Sequence, residues 1–91
     1  MDEGDRLSLR LDWSNEALAD LTELVEWAPV ACRDAVADME RMVRSGFNYG
    51  RRLSEPGLWY LPGAVGVYYR TKPGILRVVK VIDAKRLLAL P

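Results

Sequence analysis

The feature that most constrains this chain is a pair of amphipathic helical patterns meeting end to end at Ala28-Pro29. Ser14 opens the first, since its hydroxyl can accept from an orphan N–H of the first turn. Trp13 and Leu18 occupy hydrophobic-staple positions around that start. Ala17, Leu18, Leu21, Leu24, Val25 and Ala28 follow at helical spacing. Pro29 disfavours helical geometry at Ala28, which sets the expected end. Pro29 itself suits the first position of a second helix, where its missing N–H costs nothing. In that helix Cys32, Ala35, Val36, Met39, Met42 and Val43 form one apolar stripe, and Gly46 is the expected stop. Two helices with almost no linker make an αα-hairpin, whose apolar side needs a partner surface.

The rest of the chain supplies one. Over residues 6–12, Leu7, Leu9 and Leu11 alternate with polar residues, as in a half-buried strand. Residues 47–57 read as a loop, and three short strands follow at Leu58–Leu61, 64–71 and 75–82, separated by Pro62-Gly63 and Lys72-Pro73-Gly74. The expected fold class is α+β. Its order is β-α-α-β-β-β in two layers, with the helical hairpin on one face of a small, mainly antiparallel sheet. The 91 residues fit a single domain, with residues 1–5 flexible and 83–91 a tail.

Histidine is absent, which removes Ser-His-Asp and Cys-His catalysis and any His-ligated metal. One cysteine, Cys32, allows neither an intrachain disulfide nor a thiolate cluster, and its place on the apolar stripe marks a buried, inert thiol. No apolar run reaches the ~18 residues of a membrane span, and no apolar leader stands at the N-terminus. The expectation is a cytoplasmic protein without a cofactor or metal.

The formal net charge of zero hides a polarity. Residues 1–45 carry eleven acids against five arginines, and residues 46–91 carry eight bases against Glu55 and Asp83. A basic half can attract phosphates, or the halves can simply neutralise one another. Arg51 and Arg52 sit in the expected loop and are candidate phosphate contacts. Arg70, Arg77, Lys80, Lys85 and Arg86 lie on or after the last two strands. Strict alternation along 75–82 puts Arg77 and Lys80 on opposite faces. Tyr68 and Tyr69 also point oppositely, so one belongs to the core and the other can stack on a base or donate a proton. Trp59 and Tyr60 divide in the same way. Glu55 and Asp83 read as structural ion-pair partners.

Leu11-Asp12-Trp13-Ser14-Asn15-Glu16-Ala17, with Asp20-Leu21 in the helix, resembles the opening of the RelE/ParE superfamily of bacterial type II toxins. Arg52-Leu53, Gly57-Leu58-Trp59-Tyr60-Leu61, Val67-Tyr68-Tyr69 and the stretch from Val78 to Lys85-Arg86 extend the resemblance over roughly residues 6–86. It implies a cognate antitoxin partner. It also implies either ribosome-dependent cleavage of messenger RNA or inhibition of DNA gyrase without a nuclease site. The resemblance carries over only Arg86, then Arg70 and Arg77, as phosphate contacts; joined to the reading of the basic half, the candidates for catalysis are Arg86, Arg70 and Tyr68, and those for nucleic-acid contact are Arg51, Arg52, Arg77, Lys80 and Lys85. RNA-cutting members carry basic residues near the positions held here by Gly66 and by Trp59, Tyr60 and Leu61. A member reduced to protein binding is the third expectation.

Overall fold

The computed structural model describes residues 10–84. Two helices cover one face of a five-stranded sheet. Strand β1 is Arg10–Trp13, helix α1 is Asn15–Leu24, and helix α2 is Pro29–Ser45. Strands β2 (Arg51–Arg52), β3 (Leu58–Leu61), β4 (Val65–Lys72) and β5 (Ile75–Asp83) follow.

Ser14 is the N-cap of α1. Its Oγ accepts from the Ala17 N–H at 3.0 Å and donates to the Val79 carbonyl at 3.2 Å. One hydroxyl therefore starts the helix and ties it to β5. Ser14→Ala should cost about 1–2 kcal/mol, the sum of a lost cap and a lost half-buried hydrogen bond. Urea unfolding reads this directly, and an unchanged midpoint would show that the cap is dispensable.

Helix α1 ends at Leu24, a turn earlier than the expected stop at Ala28. Trp27 and Ala28 both donate to the Leu24 carbonyl, at 3.0 and 2.9 Å, and close the chain into a turn. Ala28 stands at φ −141°, ψ 65°, outside the helical region that the following proline disfavours. Pro29 does begin α2, and Gly46 ends it at φ 79°, donating to the Met42 carbonyl at 2.8 Å.

The sheet order is β1-β5-β4-β3-β2, with β1 parallel to β5 and every other pair antiparallel. Pro73 and Gly74 (φ 79°) form the two-residue turn between β4 and β5, the former at preset negative φ and the latter in the left-handed region. Arg51 and Arg52, expected in a loop, form the two-residue rim strand β2 against Tyr60 and Trp59. β5 runs through Asp83, so that residue belongs to the sheet rather than to a tail.

The core lies between the helices and the sheet. α2 contributes Cys32, Ala35, Met39 and Met42; the sheet contributes Val67, Tyr69, Leu76, Val78 and Val81. α1 buries only Ala17 and Leu24, while Leu18 and Val25 of its expected stripe are exposed. No described helix is long and apolar enough to cross a membrane.

Candidate functional site

Register decides which side chains share the sheet's outer face, away from the helices. Tyr69 is fully buried against α2 and pairs with Trp59 and Val78, so its neighbours Tyr68 and Arg70 point outward. Arg70 stands opposite Leu58 and Arg77, and Tyr68 stands opposite Tyr60 and Lys80. Tyr60 in turn faces Arg51. A register shift at Tyr68/Tyr69 leaves Val79 without a pairing partner. This bulge resets the alternation, so Arg77 and Lys80 share one face instead of opposing each other as expected. Arg10 and Lys72, both opposite Ile75, complete the row; charge counting alone did not single them out.

Arg52 lies elsewhere. It pairs with Trp59 on the helix side, its guanidinium 5.9 Å from the ring centroid. Lys85 and Arg86 lie outside the described residues.

Several outer-face cations already hold carboxylates. Arg70 pairs with Glu55 at 2.5 Å, and Arg77 pairs with its cross-strand neighbour Asp12. Lys80 meets Glu16 at 3.1 Å and Asp20 at 3.7 Å, both from α1. The hydrogen bond that the Lys80 ammonium donates to Glu16, reinforced by the charge of Asp20, holds Lys80 above its ordinary pKa. Among the described residues Arg51 makes no ion pair. Apart from the half-buried Asp20, the side chains of these pairs are largely open to solvent, so the pairs are individually weak and exchangeable.

Tyr60 and Tyr68 meet edge to face with centroids 4.8 Å apart. The Tyr60 ring lies over Gly66; a Cβ there would stand 2.8 Å from Tyr60 Cζ. Glycine is thus required at this position for close approach rather than for an unusual φ.

Behind the face, Tyr69 donates to Asn48 Oδ1, which also accepts from the Gly50 N–H at 3.0 Å. This knot ties the end of the α2–β2 loop to the core. Burial pushes the Tyr69 phenol up to about 12, opposed by a hydrogen bond from the Gly50 backbone. The unfolded phenol titrates near 10. The native state therefore keeps a proton that the unfolded state loses. The stabilisation is complete below pH ~10 and is lost as pH rises toward 12. Stability measured across that window should fall more steeply for the native protein than for Tyr69→Phe. Parallel curves would remove Tyr69 as the cause.

The Cys32 thiol is buried and raised by desolvation first and by Asp83 second, as befits an inert group. No cluster of metal-ligating side chains occurs among the described residues. On the far side of the molecule, Leu21, Val25, Pro29, Cys32 and Val36 line an open apolar groove of about 320 Å³ between the helices. Trp27 (72% exposed) and Val30 (58%) are exposed on the same helical pair.

The chain matches no protein-family model and no curated protein sequence. Solved structures do match. A chromosomal ParDE toxin–antitoxin system from P. aeruginosa superposes with TM-score 0.64 at 21% identity, covering 84% of this chain and 96% of that one. The RelBE2 toxin–antitoxin complex of Mycobacterium tuberculosis gives 0.70 at 17%, covering 85% and 99%. A mutant of the E. coli toxin RelE in the free state gives 0.71 at 13%, covering 88% and 87%. The fold is that of the RelE/ParE toxins. On this RelE/ParE fold, Leu61, one of the positions where the resemblance implies a base, faces the core opposite Val67. Gly66, the other, lies beneath the Tyr60 ring.

Proposed function

We propose that this chain is the toxin of a type II toxin–antitoxin pair, and that its outer sheet face contacts RNA at the ribosome. The observation that carries the reading is the single row of Arg51, Arg70, Arg77 and Lys80 around the Tyr60–Tyr68 pair. A phosphate arriving at Arg70 or Arg77 replaces Glu55 or Asp12, one anion for another, at little cost for exposed pairs. The tyrosine rings offer π-faces to unstacked bases. In cleavage the ribose 2′-hydroxyl gives its proton to water as its oxygen attacks the adjacent phosphorus, and the bond to the 5′-oxygen breaks to leave a 2′,3′-cyclic phosphate. Arg70 and Arg77 stabilise the charge that develops on phosphate, and the Tyr68 hydroxyl protonates the leaving oxygen.

A second reading, a non-catalytic toxin acting on DNA gyrase, is favoured by one observation. The positions of Leu61 and Gly66 hold a core side chain and a space filled by Tyr60, which leaves fewer free cations for phosphorane chemistry.

The antitoxin would cover the helical groove. An amphipathic helix suits its apolar floor, with charged flanks of both signs to meet Glu40 and Arg33, which both line the groove.

Induced expression should arrest growth, and coexpression of the neighbouring gene's product should relieve it. Primer extension on translated messenger should reveal new 5′ ends that require ribosomes. Arrest without new ends, together with loss of supercoiling by purified gyrase, selects the second reading. Full viability under strong induction contradicts toxicity altogether.

A further inference from the structure

The segment that joins α2 to the sheet carries a surface that neither the row of cations nor the core explains. Residues 41–54 contain four arginines and no carboxylate, with Phe47 and Tyr49 set between the two arginine pairs. Both rings are turned out to solvent, Phe47 at 68% exposure and Tyr49 at 46%. They lie near-parallel, inclined by 25° with centroids 6.3 Å apart. The backbone that presents them is tied down at almost every residue. The Gly46 N–H donates to the Met42 carbonyl at 2.8 Å, and the Phe47 N–H to Ser45 Oγ at 3.1 Å. The Tyr49 N–H donates to the Met42 sulfur at 3.3 Å, and the Gly50 N–H to Asn48 Oδ1 at 3.0 Å. The Asn48 side chain is held in turn by the buried Tyr69. Rings on a loop pinned in this way lose little freedom when a ligand arrives.

We propose that Phe47 and Tyr49 form a stacking platform for an unpaired base of single-stranded RNA, with Arg51 on the adjoining phosphate. This rests on the RNA reading above and adds a base subsite to it. Every base has a π-face, and stacking on exposed rings needs no enclosing pocket. Arg51 follows Tyr49 by two residues, about 7 Å of chain at most, which is the scale of one nucleotide. Arg51 also faces Tyr60 across the β2–β3 pair, so the platform continues the outer row past the β2 rim. Arg44, exposed in the last turn of α2, is a second cation with no ion pair among the described residues. With no carboxylate between Glu40 and Glu55, the field around the two rings favours a polyanion over an apolar protein segment.

The test is binding of a fluorescein-labelled single strand of roughly ten uridylates, within the site size of such surfaces, by the full-length protein over a salt series. Phe47→Ala, Phe47→Leu and Tyr49→Ala should each weaken binding about tenfold, the lower part of the range for one stacked base. Phe47→Trp should match or exceed native affinity. None of these should change the slope of log affinity against log salt. Arg51→Ala should shrink that slope by roughly 0.7, the loss of one single-strand phosphate contact. A strand of the same length without bases should bind the native protein and Phe47→Ala equally. Urea midpoints check folding, and the largely exposed Phe47 keeps the test decisive if Tyr49→Ala unfolds. Affinity that survives Phe47→Ala and Phe47→Leu, while Arg70→Ala loses slope, overturns the platform and leaves the outer-face reading standing. Weakening that comes with a smaller slope makes the loop a support for Arg51, and also overturns it. A native protein that fails to bind the strand at low salt overturns it too, and primer extension then judges the toxin reading by itself. Variants that bind RNA normally but no longer bind the neighbouring gene's product assign the rings to that protein and overturn the proposal.

Discussion

Gly50→Ala should destabilise the protein by about 3 kcal/mol, the upper part of the range for overpacking a tight site. The cause is space rather than backbone conformation. A Cβ at position 50 would run into the Tyr69 hydroxyl, stand 2.9 Å from Tyr69 Cζ and 3.1 Å from the Tyr60 carbonyl oxygen. Tyr69 has nowhere to retreat, because it is fully buried and its hydroxyl is committed to Asn48 and lies 3.7 Å from the Met42 sulfur. Removing that hydroxyl tests the account. Tyr69→Phe alone should cost about 1 kcal/mol, the net worth of one hydrogen bond. The double variant should cost less than the sum of the singles by 1–2 kcal/mol, because the worst contact is gone. Urea unfolding of all four proteins closes the cycle, and simple additivity would mean that the two sites do not collide.

Arg70→Ala should lower ribosome-dependent cleavage by about 10²–10³, the scale for removing one preorganised donor from a developing oxyanion. Its partner supplies the opposite sign. Glu55 holds the Arg70 guanidinium at 2.5 Å, so Glu55→Gln should free that cation and tighten binding to RNA. The slope of log affinity against log salt should shrink by about one for Arg70→Ala, which deletes one phosphate contact. Binding and primer extension on the three proteins separate this from a purely structural pair. If Glu55→Gln and Arg70→Ala weaken RNA binding alike, the pair serves loop 53–57 and not phosphate. If Arg70→Ala cleaves normally, the outer face is not the working surface.

Much of the architecture could be read in advance because it depends on local chemistry. Ser14, Pro29, Gly46 and Pro73-Gly74 act through their own backbone geometry or hydroxyls, and each sits where that chemistry places it. The early end of α1 could not be read so simply. Val25 continues the helical spacing, yet the turn that Pro29 requires begins three residues before Ala28. The two-residue β2 carries no period, and it exists only because Tyr60 and Trp59 pair with it. The bulge at Val79 had a signal that strict alternation overlooked. Buried positions run Leu76, Val78 and then Val81, a step of three where a regular strand takes two. That step moves Lys80 beside Arg77, and with it the composition of the candidate face. Tyr69 could be assigned to the core only as one of a pair with Tyr68; its contact with Asn48 and Gly50 joins segments about twenty residues apart and has no local signature.

β1 ends at Trp13, so past Val78 β5 keeps β4 on one side but has no strand on its β1 side. Helix α1 closes that stretch with side chains. The Ser14 hydroxyl serves the Val79 carbonyl, and the Asp20 carboxylate takes the Val81 N–H at 3.1 Å. An unguarded ladder of that length would recruit extended peptide from neighbouring molecules. With Val79 and Val81 held in this way, that stretch of β5 is a poor template for an extended segment of another molecule.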